Sequence, residues 1–523
     1  MSSASFISQY PYHLLVGCFL AITLFKRLGA KKRNPNNLPY PPGPKGYPLI
    51  GSLFDMPKGK PWLEYHEWSK TYGDMIYFEV LGQPFLVLGS LERANDIFEK
   101  RSSNYSDRMR MPMINELMGH DGMLAFQRYG PVWKKHRRAF QEQFHPQVIG
   151  EYQPVHVREV RAFLQRLLET PKDFYRHIDQ SFGATILKVA YGYTIQGHDD
   201  PLVLNIEDAM DGIKQAGHPG AFLVDLIPAM KYIPEWFPGA TFQKKAARWR
   251  QITQDMTNKP FEYVKEQMKN GTAIPCISTK MIDQLPDEND PSRAEQEQLA
   301  KRTASAAYLA GADSTLSAVK TFFLAMILYP EAQRRAQEEL DSVLCGRLPE
   351  FSDRDSLPYI NALVNENLRW KLVTNVGFPH VASQDDEYNG YFIPKGTLLI
   401  ANAWAALHDP EVFENPDEFL PERYLDKDGQ LDHSVRSPSV AAFGFGRRKC
   451  PGRHFSNDGL FMMIASTLAV YNILPPLDSN GKPCQLTAEF TSEVVSTPLP
   501  FECRIVPRSS AANTLIQDCL TFE

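Results

Sequence analysis

No two of the seven cysteines stand at a Cys-x-x-Cys spacing; Cys18, Cys276, Cys345, Cys450, Cys484, Cys503 and Cys519 are scattered and odd in number. That excludes a disulfide framework and a cysteine-rich zinc site, and it fits a reducing, cytosol-facing compartment. In such a compartment the sequons Asn104-Tyr105-Ser106 and Asn270-Gly271-Thr272 are coincidental. Long blocks of like charge are also missing. With 56 basic and 61 acidic residues the chain is mildly acidic, and nothing in its charge pattern points to nucleic acid. There is no internal repeat and no low-complexity tract, which sets aside repeat architectures. The 40 prolines exclude an all-helical rod.

What remains is ordinary globular composition, 43% hydrophobic and 22% charged, in a chain whose 523 residues by length alone suggest two to four domains. The N-terminus departs from it. From Tyr12 to Phe25 the only ionisable side chain with a basic centre is His13, and Lys26, Arg27, Lys31, Lys32 and Arg33 follow. Started near Phe6, the run reaches the roughly 20 residues a bilayer needs. Because the basic cluster follows the apolar run, the segment reads as a signal anchor and not as a cleaved signal peptide. The positive-inside rule then places the rest of the chain in the cytosol. Residues 1–33 are read as this anchor with its basic flank, 34–51 as a proline-rich linker, and 52–523 as one body. Leu38-Pro39-Tyr40-Pro41-Pro42-Gly43-Pro44 can be neither helix nor central strand, so the linker is stiff and sets the body's attitude to the membrane.

Ile76–Val80 and Pro84–Gly89 read as two strands joined by a glycine turn, and short strands recur at Tyr391–Ile393 and Leu398–Asn402. Most of the rest has helical periodicity. The longest helix is expected to start at the capping box Ser292-Arg293-Ala294-Glu295 and to run to Tyr329, before Pro330, crossing the whole core. The fold class is mainly α with small β-sheets.

The segment richest in chemistry is Phe443-Gly444-Phe445-Gly446-Arg447-Arg448-Lys449-Cys450-Pro451-Gly452, followed by the apolar-periodic stretch Leu460–Tyr471. A lone cysteine between a glycine turn and a helix start meets backbone N–H groups and the helix dipole, which lower a thiol's pKa. The glycines allow the backbone close to a flat cofactor. Arg448 is a fixed cation that can pair with a carboxylate.

This segment resembles the haem-binding signature of the cytochrome P-450 family, with Phe443, Gly446, Arg448, Cys450 and Gly452 at its key positions. The resemblance runs from the proline linker nearly to the C-terminus. Glu366-Asn367-Leu368-Arg369 is similar to the family's helical Glu-x-x-Arg pair, whose spacing puts both side chains on one face. Phe419-Leu420-Pro421-Glu422-Arg423-Tyr424 resembles the loop whose arginine completes that structural network. Trp133-Lys134-Lys135-His136-Arg137 resembles the segment whose Trp133 and Arg137 would hold a haem propionate. His380 sits where the family often has a second propionate partner.

Ala310-Gly311-Ala312-Asp313-Ser314-Thr315 resembles the family's oxygen-activating groove. Its glycine costs about 1 kcal/mol in a helix, which suggests that something must come close. Stepping back from Ser314 gives Ala310 or Gly311, Ala307 and Thr303, a face of small residues with room for dioxygen and substrate. Asp313 and Ser314 form an acid–alcohol pair able to relay protons, and are the expected catalytic residues. The usual threonine is Ser314 here, which keeps the hydroxyl but loses the methyl that fixes its rotamer.

The resemblance implies a fold and an activity. They are a P-450 fold behind a single-pass anchor in the endoplasmic reticulum membrane, haem b with Cys450 as axial thiolate, and electrons from NADPH through a flavoprotein reductase. The implied reaction is hydroxylation or epoxidation of a hydrophobic small molecule. The nearest likeness is to the fungal O-methylsterigmatocystin-oxidoreductase-like group, which implies a terpenoid, polyketide or aromatic intermediate of secondary metabolism. The alternatives are a reductase-independent haem-thiolate isomerase or lyase, which tends to lose the acid–alcohol pair, and a non-enzymatic haem carrier or sensor. Arg108–Leu124, Lys371–Phe378 and Val494–Leu499 match family positions that contact substrate. Lys134, Lys135, Arg138, Arg447 and Lys449 are expected together on the thiolate side as a docking patch for the reductase.

Overall fold

Proline starts helices in this chain more often than it interrupts them. In the computed structural model, which describes residues 33–197, 199–217, 221–311 and 314–520, Pro61, Pro131, Pro330 and Pro358 each open a helix. There the missing N–H would be unbonded anyway. Numbering only helices of two turns or more, the order begins α1 (Pro61–Tyr72), β1 (Met75–Val80), β2 (Gln83–Leu88), α2 (Pro131–Gln143), α3 (Gln153–Glu169), α4 (Phe174–Tyr191) and α5 (Pro201–Gly217). It continues with α6 (Thr241–Asn270), α7 (Ile277–Asp283), α8 (Arg293–Gly311), α9 (Ser314–Leu328), α10 (Pro330–Leu344) and α11 (Pro358–Trp370). Four strands follow, β3 (His380–Val381), β4 (Asp386–Tyr388), β5 (Tyr391–Ile393) and β6 (Leu398–Ala401). The described chain closes with α12 (Arg453–Val470), β7 (Tyr471–Leu474), β8 (Arg504–Pro507) and α13 (Ser510–Asp518).

The helical class and the small sheets agree with the sequence reading, including the β1–β2 hairpin. One sheet has the order β1-β2-β6-β3, in which only β2 and β6 run parallel. β4 with β5 and β7 with β8 form two-stranded pairs. The strand expected to reach Asn402 stops at Ala401, because the Asn402 side chain turns back to cap the next short helix by accepting Ala405 N–H at 3.2 Å.

α9 is buried nearly all round, since its sequence has almost no polar stripe, and α12 is alike. These two helices pack with α3, α4, α10 and α11 into the largest apolar cluster, and α8 heads a second cluster with parts of α2, α4, α5 and α6. The long helix expected from Ser292 to Tyr329 is described as α8 and α9 on either side of residues 312–313, and Pro330 ends it by starting α10. The capping box does not form. Ser292 Oγ donates to the Asp290 carboxylate at 2.6 Å, and Glu295 takes Lys135 at 2.6 Å, so both ends of the box have other partners.

The anchor expected over residues 1–33 lies outside the described residues except for Arg33. The linker is bonded to the body along its length. Arg33 pairs with Asp385, Pro39 O accepts from Phe392 N–H and Pro42 O accepts from Tyr77 N–H, both at 2.9 Å. Gly43 lies so close to β1 that a Cβ there would stand 1.8 Å from Tyr77 O.

Candidate haem-thiolate site

The loop around Cys450 is shaped by two left-handed glycines, Gly444 (φ 74°) and Gly446 (φ 57°). The close approach at Gly446 is to protein and not to a cofactor. A Cβ there would sit 2.0 Å from Phe98 O, and Gly446 N–H donates to Glu99 at 2.8 Å. Cys450 N–H closes the loop on Phe443 O at 2.8 Å, while the Phe443 ring packs against the main core. Burial pushes the Cys450 thiol up from its ordinary value, and the Gly452 N–H, Arg137 and Arg453 pull it down. Among the described residues no group of three or more His, Cys, Asp or Glu converges to hold a metal. A metal on Cys450 would therefore have to bring its own remaining donors, as the iron of a porphyrin does.

Beside the loop stands a cluster of cations that outnumber the one carboxylate near them, Asp107. Arg448 donates to three carbonyls, Ser106, Leu124 and Gln127, at 2.7–2.9 Å, and its guanidinium lies 4.3 Å from the centroid of the buried Trp133 ring. Arg108, expected in a substrate loop, is buried here and donates to Ala125 O, Phe378 O and Pro379 O. Burial pushes Arg108 down to about 9 and Arg448 down to about 10, and each opposes the charge of its neighbours. Arg137 is also lowered by burial. The carboxylate they feel, Asp107, is gripped by Arg128. Buried and half-buried cations crowded in this way call for an anion from outside, and the two propionates of haem fit.

His380 fits less well than expected. It is buried beside Arg108, with Nδ1 2.6 Å from Tyr105 O, and burial holds it well below the usual imidazole range. A neutral ring that gives its N–H to Tyr105 has only an acceptor left at Nε2 and cannot donate to a carboxylate. Arg108 is the residue that sequence reading missed, and the signal was weak because an arginine in a loop is usually solvated.

On the facing helix, Ala310 is exposed at the end of α8, and Ser314 is half-buried with Oγ donating to Ala310 O at 3.2 Å. Asp313 lies outside the described residues. Thr315 points the other way: buried, it shares a 3.0 Å hydrogen bond with Ser456 Oγ in the first turn of α12, whose N–H returns to Gly452 O. The Cys450 loop and Ser314 are thus tied together through one alcohol pair. The open face is shorter than expected. Thr303 and Ala307 are buried, Thr303 Oγ1 bonding Leu299 O, and the glycine at 311 packs closely against protein, since a Cβ there would crowd Ile186 of α4 at 3.0 Å.

The three expected substrate segments do converge. Arg108 ties the first to Phe378, and Ser496 N–H donates to Val373 O at 2.8 Å, tying the third to the second. Phe378, Val494 and Leu499 leave large apolar surface exposed. On the thiolate side, a hollow of about 590 Å³ is lined by residues that include Trp133, Lys134, Arg137, Arg138 and His145. Lys134 and Arg447 both lie over Tyr129. Lys135 does not join them; its ion pair with Glu295 turns it toward α8.

Residues 41–504 match the Cytochrome P450 family. Cytochrome P450 monooxygenase COX2 of Coprinopsis cinerea is 47% identical over 92% of this chain and 91% of its own length. Its companion COX1 from the same organism is 44% identical over 96% and 97%. Tryptamine 4-monooxygenase of Psilocybe cyanescens is 40% identical over 95% and 98%. Family membership implies haem-thiolate iron, monooxygenase chemistry, a redox partner and a hydrophobic substrate. With fold, cysteine loop and full-length similarity in agreement, the chain belongs to the cytochrome P450 family.

Proposed function

We propose that the chain inserts one atom of dioxygen into an apolar small molecule, by hydroxylation or epoxidation, in fungal secondary metabolism. Its electrons come from NADPH through a flavoprotein reductase at the endoplasmic reticulum membrane, to which residues 1–33 anchor it. The observation that carries the reading is Cys450 itself, set between the Gly452 N–H and two arginines and beside guanidinium groups aimed by backbone carbonyls and not by a carboxylate fork. Bound haem supplies dioxygen activation. Arg108, Arg448, Arg137 and Trp133 would hold its carboxylates and shield that edge from water. The Gly452 N–H and Arg137 favour the charged form of Cys450 against its burial. The test is reconstitution with purified reductase, labelled dioxygen and a panel of fungal metabolites. One labelled atom per product, dependent on reductase, is expected. Turnover without reductase and without label would replace this reading by isomerase or lyase chemistry.

Ser314 and Asp313 deliver protons in this reading, and the geometry gives Thr315 a different task. Ser314→Ala is expected to keep haem and substrate but to divert NADPH electrons into hydrogen peroxide. Thr315→Ala should stay coupled while costing about 1 kcal/mol of stability, for the buried bond to Ser456. Ser314→Thr should hold or improve coupling, because its methyl restricts the rotamer. Product and peroxide per NADPH, with melting curves alongside, check all three; peroxide from Thr315→Ala but not from Ser314→Ala would shift the register by one residue.

The reductase docks on the face that holds the hollow lined by Lys134 and Arg138, with Arg447 meeting Lys134 over the Tyr129 ring and Lys449 beside Cys450 in the loop adding positive charge. Reversing Lys134 and Lys449 to Glu should slow reduction severalfold at low salt and flatten its ionic-strength dependence. Lys135→Glu, in the ion pair with Glu295, should slow it less. Equal effects of the two reversals in stopped-flow reduction would put the docking site elsewhere.

A further inference from the structure

The Asp107 carboxylate is nearly buried, with 9% of its side chain exposed, and both ends of one loop are bonded to it. Arg128 grips it as a fork, with Nε at 2.8 and 2.9 Å. The N–H groups of Tyr129 and Arg108 donate to the same carboxylate at 2.8 and 2.9 Å. These bonds close residues 107–129 into a ring, and closing a loop this way removes much of its freedom. On the other side the backbone of Asp107 is fastened to β3, where Val381 N–H donates to Asp107 O at 3.0 Å.

The carbonyls that orient buried Arg108 and half-buried Arg448 lie in or beside that ring. Arg448 is held by Ser106, Leu124 and Gln127, and Arg108 by Ala125 from within the ring and by Phe378 and Pro379 from outside it. If the ring opens, both guanidinium groups lose the frame that aims them. We propose that Asp107 is a positioning residue. Through Arg128 it holds the loop closed, so that Arg108 and Arg448 present their donors to the carboxylates of a bound porphyrin. This rests on the haem reading above and extends it to a residue that touches neither haem nor substrate.

Two simpler roles make different predictions. As an exposed ion pair, Asp107 with the 56%-exposed Arg128 would matter little. As a bare negative charge it would oppose the binding of an anion, so neutralising it would strengthen the hold on haem. The positioning role predicts the opposite sign.

Haem transfer from the full-length holoprotein to excess apomyoglobin reads that sign, together with hydrogen exchange resolved by peptide. Asp107→Asn should release haem about tenfold faster: its one oxygen can still accept from the two backbone N–H groups, but the charge is gone and an amide NH2 faces the Arg128 fork in place of Oδ2. Exchange should quicken within 108–127 while peptides of α3 stay as protected as in the parent. Arg128→Gln should move both in the same direction by less, and Asp107→Glu should return haem release to within about twofold of the parent, since it keeps the charged acceptor. Slower or unchanged haem release from Asp107→Asn would overturn the proposal, as would a rise in exchange spread equally over α3. If Asp107→Asn yields no folded protein, Arg128→Gln carries the same comparison, because it leaves the acid and both N–H bonds in place. A parent that takes up no haem would sink the haem reading, whereas a parent that binds it beside an indifferent variant sinks only the role of Asp107.

Discussion

Cys450→Ser is expected to leave a folded chain that has lost both the red-shifted Soret band of its reduced carbon monoxide complex and all measurable turnover. The loop does not depend on the sulfur for its shape. Its backbone closes through Cys450 N–H on Phe443 O, and its two left-handed turns belong to Gly444 and Gly446. The chemistry does depend on it. Burial raises the thiol, and the Gly452 N–H, Arg137 and Arg453 offset only part of that; iron bound there would displace the proton of a thiol, whose ordinary pKa is about 8.5, far more readily than that of a serine hydroxyl. A neutral oxygen does not donate electron density to iron as a thiolate does. Cys276, which caps α7 with its sulfur, and Cys519, whose thiol donates to Ile516 O, have structural contacts of their own. Serine at either position should leave the band in place. A Cys450→Ser protein that kept the red-shifted band would show that another residue holds the iron.

The parts of this site that were legible in the sequence are those whose chemistry is local. The glycine turns, the cysteine and the following helix sit within residues 444–470, so their order along the chain is nearly their arrangement in space. The orientation of Ser314 and Thr315 could also be read, because adjacent residues on a helix are about 100° apart and only one of them can face the groove. Contacts between distant segments were not legible. Lys135 looked like a neighbour of Lys134 in a docking patch, but the same rotation along α2 turns it to Glu295 on α8. His380 looked like a carboxylate partner, and only the fold reveals that Tyr105 O takes its N–H. In sequence Gly446 and Gly311 suggest room for a ligand, whereas in the fold a side chain there would strike Phe98 or crowd Ile186, both far away in sequence. Arg108 was hidden for the same reason. Its burial depends on Phe378 and Pro379, some 270 residues further on.

The Glu366–Arg369 pair combines the two cases and leads to the other large effect expected. Its i, i+3 spacing predicts the ion pair, and Arg423 was expected to complete it. Both side chains of the pair are 0% exposed and Arg423 is 9% exposed. Glu366 accepts from Arg369 at 2.7 and 2.8 Å, from Leu420 N–H at 2.8 Å and from Arg423 at 3.2 Å. Arg369 gives its remaining hydrogens to the carbonyls of Leu407, Pro416 and Glu418. The pair therefore fastens α11 to the whole stretch that leads into the Cys450 loop. Removing Arg369 as alanine leaves a buried carboxylate with one long ion pair and three carbonyls without donors, a loss of about 3–5 kcal/mol or more. Lysine should rescue little of it, since one ammonium cannot make the two-pronged contact with Glu366 and also reach three carbonyls. Glu366→Gln should fall between the two, keeping the shape but leaving two guanidinium groups without a counter-charge. The measurement is the yield of soluble, haem-loaded protein and its unfolding midpoint in denaturant, with the exposed pair Arg334–Glu331 as a control that should change little. Full recovery of haem-loaded protein from Arg369→Lys would show that charge alone suffices at this position, and that the carbonyl contacts, although present, do not hold the approach to Cys450 in place.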